Sequence, residues 1–219
     1  MSDDWYRSSS WDQEARDVFE KKIGRARFQK PYYLWMKAAA IAQEHPDDAE
    51  ALFDRALAAD VDGFESARAL NARATARAAR GDIGATLDDL AHAATHERDA
   101  MPNLVTSARW DYAALVGMHR QRDRYDEALA FLGPRVPDLA FAGQVGLAFI
   151  NHDLGKGDAA QAAAKKALSR ATMHDDPASG LPLPPTPPFP NPIYDRLLVI
   201  AHIWDIEELG PPPPVWPER

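Results

Sequence analysis

The chain has 219 residues, 46% of them hydrophobic and 26% charged, a balance that supports a folded core and excludes global disorder. Its formal net charge of -8 argues against nucleic acid as the main partner, because neutralising phosphates needs a basic surface, and favours basic partners instead. With no cysteine, the chain has no disulfide, thiolate metal site or cysteine nucleophile.

The first residues, MSDDWYRSSSWDQEARD, are acidic and lack the apolar core of a signal peptide. No stretch approaches the length of a membrane span, so a cytoplasmic location without a membrane partner is expected. Ser10-Trp11-Asp12-Gln13 matches a capping box and predicts a helix starting at Trp11, with Trp11, Ala15, Val18, Phe19, Ile23 and Ala26 as its apolar stripe. The basic run Lys21, Lys22, Arg25, Arg27 and Lys30 is interleaved with Asp12, Glu14, Asp17 and Glu20 on the same predicted helix. It reads as a solvated face suited to the helix dipole, with a small anion-binding patch as the alternative.

Pro31 marks a break before a second helix, Tyr32 to about Glu44, which is apolar around much of its circumference and expected to be buried. After the turn His45-Pro46-Asp47-Asp48, Asp47 and Glu50 are placed to cap a helix from Asp48 to about Ala59. Further helix pairs are expected at about Glu65–Ala79 with Asp82–Glu97, Leu104–Gln121 with Tyr125–Leu132, and Leu139–Leu154 with Asp158–Ala171. Gly81 and Gly155 supply tight turns. Residues 173–192 are too rich in proline for helix or inner strand, a last helix is expected over 193–209, and 210–219 form a proline-rich tail. The organisation is thus an extension (1–10), a helical-hairpin array (11–172), a connector, a capping helix and a tail.

A small-residue face recurs on the second helix of each pair: Ala49, Phe53, Ala56; Thr86, Leu90, Ala93; Ala128, Leu132, Arg135; Ala160, Ala164, Ala167. Offsets of four and three keep these side chains on one face, where a partner helix can approach closely. Such a unit cannot bury its own face and must stack on neighbours. Asp123-Arg124-Tyr125-Asp126-Glu127-Ala128-Leu129 resembles the turn and second-helix start of a tetratricopeptide repeat. The small residues recur at intervals of 37 (49 to 86), 42 (86 to 128) and 32 (128 to 160), which bracket that family's period of about 34 residues. The resemblance covers roughly residues 32 to 171, and it departs from the family pattern at Arg135 and Lys37. The block Trp5-Tyr6-Arg7, Trp11, Phe19, Arg25-Ala-Arg27 also resembles that of uncharacterised bacterial repeat proteins.

The resemblance implies an all-α hairpin solenoid whose first helices line a concave groove for a peptide or a partner's helix. It would place Arg68, Asn71, Trp110, Arg120, Gln121, Val145, Phe149 and His152 toward that groove. Trp110 and Phe149 read equally well as packing between hairpins. The proline segment reads as a stiff connector, as a ligand for another protein's aromatic groove, or as an internal plug of the groove. Asp88, Asp89, His92 and His96 share a helix, yet lack the second motif of a di-iron site and the order of a zinc protease. The expectation is a non-catalytic adaptor without cofactor or metal. The alternatives are an acidic neutralising, immunity-like partner of a basic protein, and a metal-dependent enzyme using the Asp/His cluster.

Overall fold

Asp12, rather than Ser10, begins the first helix: its carboxylate accepts from the Ala15 amide at 2.8 Å, a cap worth about 1 kcal/mol. The computed structural model describes residues 5–101, 103, 106–134, 136, 140–171 and 192–202. In it α1 (Gln13–Ile23) starts two residues later than the capping-box pattern predicts, because Gln13 donates to Asp17 at 2.8 Å instead of reaching back. It ends at Gly24, so Arg25 and Arg27 lie in the following loop and do not share a helix with Lys21 and Lys22. Val18 is exposed and the buried stripe of α1 narrows to Phe19 and Ile23.

Both following helices take a proline into their first turn, where its missing N–H removes no helical bond. Pro31 therefore lies inside α2 (Lys30–Ile41) instead of before it, and Pro46 opens α3 (Pro46–Ala59), leaving Asp47 within the helix and not at its cap. Leu34, Ala38 and Ile41 of α2 and Ala49, Leu52, Phe53 and Ala56 of α3 are buried. Each large apolar side chain among them contributes about 1.5–3 kcal/mol. Lys37 is buried too: its ammonium donates to the Ser8 and Ser10 carbonyls at 2.6 and 3.0 Å and lies over the Trp11 ring, tying the N-terminal segment to α2. Burial lowers the Lys37 pKa.

The chain divides into two compact units, Met1–Ala108 and Arg109–Arg219, and the boundary falls inside the stretch 11–172. The first unit continues with α4 (Ser66–Ala79) and α5 (Ile83–Asp99); α2 packs on α3, α4 packs on α5, and α4 also meets α2 and α3. The second unit carries α6 (Ala108–Met118), a 3-10 turn (Arg122–Arg124), α7 (Tyr125–Leu132), α8 (Phe141–Asp153), α9 (Gly157–Ala171) and α10 (Pro192–Ile200). There α8 packs on α9, and α10 packs on both. The expected helix start at Leu104, Arg135, the connector 173–191 and everything from 203 onward lie outside the described residues. Among the described residues the protein is all-helical.

Every described member of the four small-residue faces is at most 5% exposed. Between α6 and α8 the approach is closer still: a Cβ on Gly146 would stand 2.7 Å from the Ala113 carbonyl carbon, and one on Gly117 2.9 Å from Phe149 Cβ. A second regularity lies in the turns. After α4 the Asp82 amide donates to Arg77 O and the Gly81 amide to Ala78 O. After α6 the same two bonds run from Gln121 to Val116 and from Arg120 to Gly117, and after α8 from Lys156 to Asn151 and from Gly155 to His152. These are Schellman ends, which need one left-handed residue. Gly81 (φ 77°), Arg120 (φ 51°) and Gly155 (φ 71°) provide it.

Candidate binding surfaces

In the first unit α2 and α4 bring together Tyr32, Trp35, Glu65, Arg68 and Asn71, all half-buried. Trp35 Nε1 donates to Glu65 at 2.9 Å, Arg68 pairs with the other Glu65 oxygen at 3.2 Å, and the Arg68 guanidinium lies over the Phe64 ring. Tyr32 meets Trp35 edge-on at 5.6 Å between centroids. Arg68 and Asn71, three residues apart on α4, share a face. Asn71 Nδ2 makes a long 3.5 Å bond to Ser107, and its buried Oδ1 has no partner among the described residues. The Arg68 side chain keeps 35% exposure, so its guanidinium can donate to a peptide carbonyl, whereas the Asn71 oxygen is enclosed. The sequence placed Arg68 and Asn71 toward a binding face but missed Trp35. Helix α2 is apolar around much of its circumference and reads as buried between neighbours, and Tyr32 and Trp35, three apart, are the signal for a half-open face.

The remaining six expected residues belong to the second unit, and two of them are core. Val145 is 2% and Phe149 1% exposed, enclosed by Ala114, Ala148, Ala164 and Leu197. Neither lines an open surface, because α10 and α9 cover the side of α8 that carries them. Trp110 is half-buried beneath the Arg109 guanidinium, with its ring edge seated where Gly143 carries no side chain. Gln121 is half-buried; Arg120 and His152 are exposed.

Arg120 and His152 flank Asp153, whose carboxylate is 6% exposed. Asp153 accepts from the Tyr125 hydroxyl at 2.8 Å and from Arg196 at 3.2 Å, while Arg120 stands 3.5 Å away with 65% of its side chain in solvent. Burial and the bond to Asp153 push the Tyr125 hydroxyl up to about 12, so it stays a proton donor at neutral pH. Burial lowers Arg196, which also lies over the Phe149 ring at 4.1 Å. Tyr125 and Arg196 together hold the carboxylate in place. Arg120 is thus a cation presented at a left-handed position where the other two turns use glycine, a conformation costing a non-glycine residue about 1 kcal/mol.

Two members of the Asp/His cluster are engaged in other contacts. Asp89 is 2% exposed, and both of its oxygens are taken by Arg73 and Arg77. His96 Nε2 bonds to the Gly63 carbonyl at 2.7 Å, and His92 is exposed. Among the described residues no group of three or more His, Asp or Glu is placed to hold a metal ion. Comparison of the chain with protein-family models, with curated proteins and with solved structures gave no match.

Proposed function

We propose that the protein is a non-catalytic adaptor of tetratricopeptide-like hairpins that binds an extended peptide or a partner's helix on its first-helix faces. The observation that carries this reading is the recurrence of one Schellman turn, at Gly81, Arg120 and Gly155, after the first helix of three successive pairs. Each turn leads into a second helix whose small-residue face is buried. From the left-handed residue to the first small residue the chain runs five positions at Gly81 to Thr86 and at Gly155 to Ala160, but eight at Arg120 to Ala128. The extra three are the 3-10 turn Arg122–Arg124, which supplies part of the stretch in the 86-to-128 interval read from the sequence.

The ligand-contacting residues in this reading are Trp35, Arg68 and Asn71 in the first unit. Half-buried aromatics supply area at low entropy cost, and Arg and Asn satisfy backbone groups. Selection of peptides from a displayed library on the full chain, followed by titration, tests it. The expected result is enrichment of a common motif whose affinity falls at least tenfold in Arg68→Glu and in Asn71→Ala. Enriched peptides that bind both variants as well as the parent would overturn the assignment.

A further inference from the structure

The loop Gly24–Gln29 between α1 and α2 carries a feature that the adaptor reading does not use. Residues 21–30 hold Lys21, Lys22, Arg25, Arg27 and Lys30 and no acid, in a chain whose formal net charge is -8. Arg25 and Arg27 lie beyond the helix that Asp12 caps and that carries Glu14, Asp17 and Glu20; Glu20, the nearest of these acids in sequence, forms a two-bond pair with Arg55 at 2.7 and 2.9 Å and also feels the charge of Lys30. Lys21, Arg25 and Arg27 are exposed, and between the cations stands Phe28, 97% exposed. Lys22 lies over the Trp5 ring at 5.3 Å, and Trp5 is itself half-buried against Tyr6 and Tyr33. Amphipathic aromatics therefore border the same loop.

An exposed phenyl ring flanked in sequence by cations, near half-buried Trp and Tyr, is the surface chemistry of a peripheral contact with an anionic lipid bilayer. Cations gain from the negative surface potential, the phenyl enters the acyl boundary, and Trp and Tyr sit at headgroup level. No described helix is long and apolar enough to cross a membrane, so the contact is with the surface alone. We infer that the Gly24–Gln29 loop is a membrane-surface anchor selective for anionic phospholipid. A basic ring without an apolar tip would suit phosphates in general; Phe28 is what directs the reading to lipid, because a ring left wholly in water gains most from an apolar phase.

The test is co-sedimentation of the full chain with phosphatidylcholine vesicles, with and without phosphatidylserine, at low and physiological salt. Binding is expected only with phosphatidylserine, falling as salt rises. Each cation removed should weaken it about fivefold, so Arg25→Gln with Arg27→Gln costs roughly 25-fold, and Phe28→Ala costs about tenfold. Lys165→Gln, which removes a charge from exposed α9, should change it less than about twofold. All these side chains are solvated, so the variants keep the parent's circular dichroism. Equal binding to both vesicle types, no binding to either, or retention by Phe28→Ala with Arg25→Gln and Arg27→Gln overturns the inference. Capture of a single-stranded oligonucleotide or polyglutamate by the same cations without vesicle binding does so too.

Discussion

Arg73 grips Asp89 with two parallel hydrogen bonds, Nε to one oxygen at 2.9 Å and a terminal nitrogen to the other at 2.7 Å, joining α4 to α5. Arg77 adds a bond to the same carboxylate at 2.9 Å and reaches Glu50 on α3, while Arg73 also reaches Asp54 there at 2.6 Å. Two arginines of α4 thus tie it to α5 through the buried Asp89 and to α3 through Asp54 and Glu50. Planar guanidinium and carboxylate meet edge to edge, a fit that lysine cannot reproduce.

Asp89→Asn should therefore be strongly destabilising, since it leaves two guanidinium groups facing a neutral amide in a poorly solvated place. Removing one partner of a buried pair costs about 3–5 kcal/mol; the retained contacts to Asp54 and Glu50 put this case near the lower end. Urea unfolding of the purified variant measures it, and a midpoint equal to the parent's would refute the network's importance.

Gly146→Ala tests the α6/α8 seam. The new methyl would meet Ala113 carbonyl carbon and oxygen at 2.7 and 2.8 Å, and because these are backbone atoms the helix as a whole has to shift. Overpacking of this kind costs about 1–3 kcal/mol and outweighs alanine's better helix propensity. Gly84→Ala in α5, where a Cβ meets nothing within 4 Å, should instead gain about 0.5–1 kcal/mol. Thermal unfolding of the two variants should move in opposite directions.

Arg120→Gly isolates the turn. Relief of the left-handed strain is worth about 1 kcal/mol, whereas the solvated pair with Asp153 at 3.5 Å contributes about 0–0.5 kcal/mol. The variant should be more stable by roughly 0.5–1 kcal/mol in denaturant unfolding. If it also binds the selected peptides more weakly, Arg120 belongs to the second unit's recognition surface.

The acid limit follows from Glu50. Burial raises its pKa, but hydrogen bonds and charge from Arg77 and Arg80 outweigh this and leave it below the ordinary 4.5. A folded-state pKa depressed in this way stabilises the protein above about pH 4.5, and the contribution disappears as pH falls through the lower folded value. Glu50→Gln should therefore lower stability at neutral pH while flattening its loss below about pH 4.5. Unfolding curves for parent and variant across that range should converge at the acid end.

Much of the helical frame was legible from local pattern. Tyr125–Leu132 matches its predicted span, and the ends of α4, α5 and α9 shift by two residues or fewer, because period and propensity act within a few residues of chain. Starts were less certain where two residues qualified. Ser10 and Asp12 both have capping side chains, and the choice fell to the one whose oxygen reached a free amide. Prolines at 31 and 46 looked like breaks because sequence does not distinguish a proline before a helix from one in its first turn.

What the amino-acid sequence determined by itself is that this chain makes helices with small-residue faces and glycine turns at 81 and 155, since side-chain size and backbone freedom are local properties. Only the tertiary structure decided which faces stay open. Phe149 and Trp35 both sit on first helices of a pair, yet α9 and α10 enclose the one while the other stays half-buried and bonded to Glu65. Likewise the sequence sets Asp89 on one helix with His92 and His96, but only packing decides that arginines 16 and 12 residues earlier take both of its oxygens. Periodicity names the face of a helix, but which neighbour covers that face, and which long side chain reaches across to it, is settled by packing between segments distant in sequence.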